Sequence, residues 1–129
     1  MRRCARTLSA FAVLTLLAGG APVCAQIPSE PPYEKEMQRL AEILGAVHYL
    51  RALCGADEGQ TWRSMMQQLI DAESPTAERR ARLVDSFNRG YRGFEQTYRT
   101  CTRTAVWVID SYMQEGADIA QRIASRYGE

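Results

Sequence analysis

VDSFNRGYRGFEQTYRTCTRTAVWVIDSY, residues 84–112, carries an apolar row at helical spacing: Val84, Phe87, Tyr91, Phe94, Tyr98, Cys101, Ala105, Val108 and Tyr112. Steps of three and four residues place the whole row on one face of an α-helix, where a strand would alternate every second residue. The row runs on without a slip, so the spacing predicts one long helix in the C-terminal half. Gly90 and Gly93 fall off the row at about 1 kcal/mol each against alanine; with Asn88 they mark a kink, a close helix contact or a binding notch. Gly116 is expected to end or bend this helix. Ile119, Ala120, Ile123 and Tyr127 then predict a last short amphipathic helix closed by Gly128.

Upstream, Ser74-Pro75 reads as a helix restart, with serine as the cap, proline in the first helical position and Glu78 in the opening turn. Before it, Thr61 is a candidate N-cap for a helix whose stripe is Trp62, Met65, Met66, Leu69 and Ile70. A first helix is expected to begin near Pro32, with Glu34 and Glu36 favoured at its positive end. Its apolar stripe is Tyr33, Met37, Leu40, Leu44, Val47 and Cys54, and Gly55 is a natural stop. A second row of small residues, Ala41, Gly45 and Ala52, is interrupted by His48 and lets another helix approach closely. No strand pattern, repeat or low-complexity segment occurs, so the fold class is all-α: a small bundle of three or four helices stapled by one disulfide.

The N-terminus runs from Arg2, Arg3 and Arg6 through an apolar stretch, Leu8 to Gly20, to Ala21-Pro22-Val23-Cys24-Ala25. A basic region, a short apolar region and small residues at Val23 and Ala25 predict an export signal cleaved after Ala25. The competing readings are an uncleaved anchor, for which the stretch is short against the roughly 20 residues a bilayer needs, and a lipoprotein acylated at Cys24, for which Val23 is a poor neighbour. The expected organisation is a signal peptide over 1–25, a flexible Pro-rich leader over 26–32 and one helical domain over 33–128. No later segment is apolar enough to span a membrane, so the mature chain is expected to be soluble or peripheral. It carries thirteen cations and fifteen acids, net −2, which argues against a nucleic-acid partner. Twelve of those cations are arginine and only Lys35 is lysine. Genome composition accounts for such a bias; the functional alternative is bidentate recognition of carboxylates or phosphates.

After cleavage two cysteines remain, Cys54 and Cys101. Two thiols delivered to an oxidising compartment most simply form one disulfide. Closing a loop of about 48 residues is worth roughly 4 kcal/mol in the chain-entropy description, a large share of the stability of so short a domain. An intermolecular bridge and a redox-active pair are the alternatives, the latter without a C-x-x-C spacing to support it.

His48 is the sole histidine. Alone it cannot build a multi-histidine zinc site, and its plain reading is a packed residue at a helix contact. Haem ligation by His48 with Met37, Met65, Met66 or Met113 is geometrically conceivable in a bundle, but C-x-x-C-H is absent. Copper binding by the methionines is the other metal reading. No nucleophile elbow, H-E-x-x-H, P-loop or Gly-rich dinucleotide turn is present, and nucleophilic catalysis would need His48 as its base. Small exported all-helical enzymes such as chorismate mutases use arginine-rich pockets; Arg39, Arg51, Gln38 and Glu42 can be cast in those roles, but Lys35 and the spacing do not match. No catalytic residue, metal ligand or cofactor is therefore assigned. The aromatic row with Arg92, Arg99 and Arg103 reads as core with snorkelling arginines, or as a partner-facing surface.

Three blocks, Leu44 through Gly55, Trp62-Arg63-Ser64-Met65-Met66, and Phe87-Asn88-Arg89-Gly90-Tyr91 through Tyr98 to Cys101-Thr102, together resemble an uncharacterised family of small exported alphaproteobacterial proteins. The resemblance covers nearly the whole mature chain and implies a single domain in a Gram-negative envelope, hence the periplasm; it carries over no catalytic residue. The expected role is a non-catalytic binding or adaptor protein with a protein partner in the envelope. Its contact surface is placed beside His48, Arg51, Trp62, Asn88 and Tyr91. A periplasmic carrier of a small ligand, haem or metal is the alternative, and a small secreted helical enzyme the second.

Overall fold

A computed structural model describes residues 29–128; the predicted signal peptide and the start of the leader lie outside them. α1 spans Glu34–Leu53, α2 Thr61–Glu73, α3 Ala77–Thr97 and α4 Arg103–Tyr127. The all-α expectation holds, with four helices and no strand among the described residues. None of these helices is long and apolar enough to cross a membrane.

α1 is the central element. It starts after a Pro31-Pro32-Tyr33 turn in which the Glu34 N–H donates to the Pro31 carbonyl at 3.0 Å. Met37, Ala41, Ile43, Leu44, Ala46, Val47 and Leu50 are all buried, so α1 has core on most of its circumference and each other helix packs against it. Gly55, at φ +87°, supplies the left-handed residue that ends it.

The tightest contact in the bundle is the crossing of α1 and α3 at Gly45 and Gly90. A Cβ on Gly45 would lie 1.9 Å from the Phe87 carbonyl oxygen, and one on Gly90 would lie 2.0 Å from that of Glu42. Each glycine thus points a Cα–H at a carbonyl oxygen of the opposite helix, a weak but reciprocal attraction. Ala41 and Ser86 are buried nearby. Of the three readings of the glycines, close helix contact is correct for Gly90; Gly93 faces open space, and α3 runs through both. Ala52, the last member of the predicted small row, is exposed.

Several local expectations are corrected. The row from Val84 to Tyr112 is two helices: Tyr98 turns extended (φ −112°, ψ 121°) to end α3, and Thr102 (φ −116°, ψ 166°) caps α4 by accepting from the Ala105 N–H. Seven residues separate Tyr98 from Ala105, so the apolar register survives the break and conceals it. Val84 is exposed and Leu83 is buried in its place. The long C-terminal helix is α4, 25 residues, and it continues through Gly116 to Tyr127; a Cβ on Gly116 would sit 3.3 Å from Ile43 Cγ2, so the glycine admits α1. Gln60, not Thr61, precedes α2. Ser74 ends α2 in the left-handed region (φ 42°), and Thr76 caps α3 by accepting from the Arg79 N–H.

Cys54 and Cys101 are bonded, with Cα atoms 4.9 Å apart. Cys101 lies in the α3–α4 link and is exposed, so the bridge fastens the end of α1 to that link, not to the middle of a helix. Beside it Leu50, Ala105, Val108 and Ile109 form a core cluster, and the Tyr49 hydroxyl donates to the Tyr98 carbonyl.

At the other end, Arg79 is 7% and Glu34 4% exposed. Arg79 donates to Glu34 and, at 2.6 Å, to Glu73, which also accepts from the Tyr33 hydroxyl. Burying a guanidinium is tolerable only with such partners.

Candidate functional site

α2 and α4 both lie on α1, and their backbones do not approach each other closely. Between them an open groove of about 320 Å³ remains. Its floor is the α1 face Leu40, Ile43, Leu44 and Val47. Trp62, Met65 and Leu69 of α2 form one wall, and Tyr112, Met113, Gly116, Ala117 and Ala120 of α4 the other. The sequence produces this because α1 carries apolar residues on more than one face while α2 is short and amphipathic. A helix of 13 residues cannot cover the face that the 25-residue α4 leaves open. Met65 and Met113 remain 45% and 40% exposed along the walls.

The charges beside the groove are paired within the protein. Arg39 makes a bidentate contact with Glu115, at 2.7 and 2.8 Å, and its guanidinium lies 4.8 Å above the Tyr112 ring. This holds the Glu115 carboxyl below the usual carboxylate range. Arg51 donates to both Glu58 oxygens, and the Trp62 indole N–H donates to Glu58 as well. These two hydrogen bonds, the arginine's first, keep Glu58 ionised below its ordinary range. Arg51 also reaches the Met113 sulfur at 3.7 Å.

The predicted contact residues divide between places. Arg51 and Trp62 meet through Glu58, and Trp62 lines the groove. His48 packs against Phe87 and Tyr91, with ring centroids at 6.0 and 5.7 Å; burial first, and the charge of Arg63 second, push its pKa down. Asn88 lines a separate cleft between α2 and α3. Sequence reasoning named Met65, Leu69 and Met113 as core or ligand candidates and missed the groove they border. Only the shortness of the Trp62–Ile70 stripe hinted that part of α1 would stay uncovered. Met37 and Met66, the other methionines offered to His48, are buried in a core cluster. Among the described residues no group of three or more His, Cys, Asp or Glu side chains gathers where it could hold a metal ion.

Fold and site define a disulfide-stapled four-helix domain with an open apolar groove. The chain belongs to the family described as "Protein of unknown function (DUF2385)", which it matches over residues 32–127. Neither the curated proteins nor the solved structures gave a match.

Proposed function

We propose that this is an exported, periplasmic binding protein without catalytic activity, whose α2–α4 groove receives an amphipathic helix of another envelope protein. The observation that carries the reading is the groove's composition: it is bounded almost wholly by carbon, and the nearby charges already have partners. A polar metabolite would find nothing there to fix its orientation, whereas binding sites for small molecules place a few convergent polar groups. A helix arrives with its backbone hydrogen bonds satisfied and needs only apolar side chains at i, i+3, i+4 and i+7 to fill such a groove. Ala117 and Ala120, small and exposed on the α4 wall, let its backbone approach closely. Met65 and Met113 adapt their shape to the incoming side chains. Export is supported by the N-terminal pattern and by a bridge between cysteines distant in sequence.

The test is site-specific photocrosslinking in intact cells. A crosslinker at Met65 or at Met113 is expected to trap the same protein, through a segment with helical apolar spacing. A crosslinker at Asp118 or Arg99 traps none, and Ala117→Arg, an exposed change, abolishes the adduct. Trapping of a lipid, of a second copy of this chain, or of nothing at Met65 and Met113 would overturn the reading.

A further inference from the structure

On the other side of α2 lies a cleft of about 220 Å³ between α2 and α3, and we propose that it binds a small organic anion, a carboxylate or phosphate head on a short apolar body. Its floor is Met66, Ile70 and Phe87, with Val84 beside them. Its rim is formed by Arg63, Arg80, Gln67 and Asn88. Apolar floor and cationic rim thus face one small volume, unlike the α2–α4 groove.

Two arginines without a carboxylate partner meet at this rim. Arg39, Arg51, Arg79, Arg82, Arg89 and Arg122 each have such a partner, whereas among the described residues Arg63, Arg80, Arg92, Arg99, Arg103 and Arg126 have none, and of these Arg63 and Arg80 stand together beside the apolar floor of this cleft. The acid at the α2 edge, Asp71, accepts from Gln67 at 2.7 Å. The field of Arg63 also reaches inward: it is the second cause, after burial, that holds the His48 imidazole toward its neutral form. His48 packs against Phe87, whose ring is part of the cleft floor. A guanidinium pair above an apolar floor binds an anion with a carbon body better than either a bare anion or a neutral alcohol, because the head takes charge-assisted hydrogen bonds while the body leaves water. The volume lies below the roughly 300 Å³ at which drug-sized ligands begin, which sets the body as a single ring or a short acyl chain.

The probe is octanoate, titrated into the purified, oxidised protein and followed by chemical shifts, with octanol and inorganic phosphate as controls. Octanoate is expected to saturate with shifts centred on Val84, Phe87 and Asn88, and each control to bind about tenfold more weakly or less. Arg63→Gln and Arg80→Gln, both exposed, each weaken octanoate by about tenfold, while Ala117→Arg in the other groove leaves it unchanged. The His48 pKa rises on saturation, because the bound head neutralises Arg63, and this rise vanishes in Arg63→Gln. Equal binding of octanol, shifts confined to the α2–α4 groove, an unmoved His48 pKa, or absence of saturation would overturn the proposal. So would binding of anionic phosphatidylglycerol vesicles through Arg63 and Arg80 without octanoate binding, which would make the rim a membrane contact.

Discussion

Gly90 and Gly93 sit three residues apart in α3, and the packing assigns them opposite responses to alanine. At Gly90 the new Cβ would meet Glu42 O at 2.0 Å, Glu42 C at 2.9 Å and Ala46 N at 3.1 Å, all backbone atoms of α1. A carbon and a carbonyl oxygen rest no closer than about 3.3 Å, so α3 must retreat by about 1.3 Å. A gap of that order forfeits at least half of the dispersion energy across the contact, and here the contact includes Leu83 and Phe87 against α1. Overpacking costs about 1–3 kcal/mol and sometimes more; alanine's helix preference returns about 1 kcal/mol. The double backbone clash puts Gly90→Ala at or just beyond the upper end, about 3–4 kcal/mol, for a net loss of about 2–3 kcal/mol. For a domain of this size that is a fall of about 10–20 °C in Tm. At Gly93 a new Cβ would meet nothing within 4 Å beyond its own helix turn, so only the propensity gain remains, about 1 kcal/mol, or about 4–8 °C upward. Urea and thermal unfolding followed by circular dichroism measure both. If both variants moved in the same direction, or Gly90→Ala were neutral, the glycine-to-backbone crossing would not be the tight point of the bundle.

Cys101→Ser, read by urea unfolding against the oxidised wild type, is expected to cost about 3–4 kcal/mol, as removal of a bridge closing a loop of this length does; an unchanged midpoint would contradict the staple. Arg79→Gln leaves the buried Glu34 without its cation and should cost about 3–5 kcal/mol, whereas Arg79→Met combined with Glu34→Gln recovers much of that loss. His48 is held below its usual value of about 6.5, so as pH falls through 6.5 the unfolded chain takes up the proton first and stability declines. In His48→Gln that decline disappears. A separate loss belongs to Glu58 and Glu115, whose depressed folded values keep their contribution above the ordinary carboxylate range and release it as pH drops below that range. Unfolding midpoints measured across pH 7 to about 3 separate the two windows.

The helical class, the Gly55 stop and the pairing of Cys54 with Cys101 were legible because each rests on a local pattern or on a small number of partners. The close approach at Gly45 was half legible: a row of small residues announces a neighbour but does not say which helix supplies it. The α3–α4 break was hidden because a five-residue link preserved the seven-residue spacing between Tyr98 and Ala105. Its visible trace was Thr97, Thr100, Thr102 and Thr104, poor helix formers of which Thr102 makes a good cap. The groove left only a faint trace, the shortness of the Trp62–Ile70 stripe. Trp62, Met65 and Leu69 have the same periodicity whether a further helix covers them or not, and that choice depends on where α4, some fifty residues later, comes to rest.

The central claim is that the α2–α4 groove takes a partner's helix. The most direct measurement is chemical-shift mapping of the isotopically labelled protein with a synthetic peptide of the segment trapped at Met113. The account predicts saturable shifts on Val47, Met65, Met113 and Ala117, with the peptide becoming helical as it binds and Ala117→Arg abolishing both effects. Shifts elsewhere on the surface, or a bound peptide that stays extended, would contradict it.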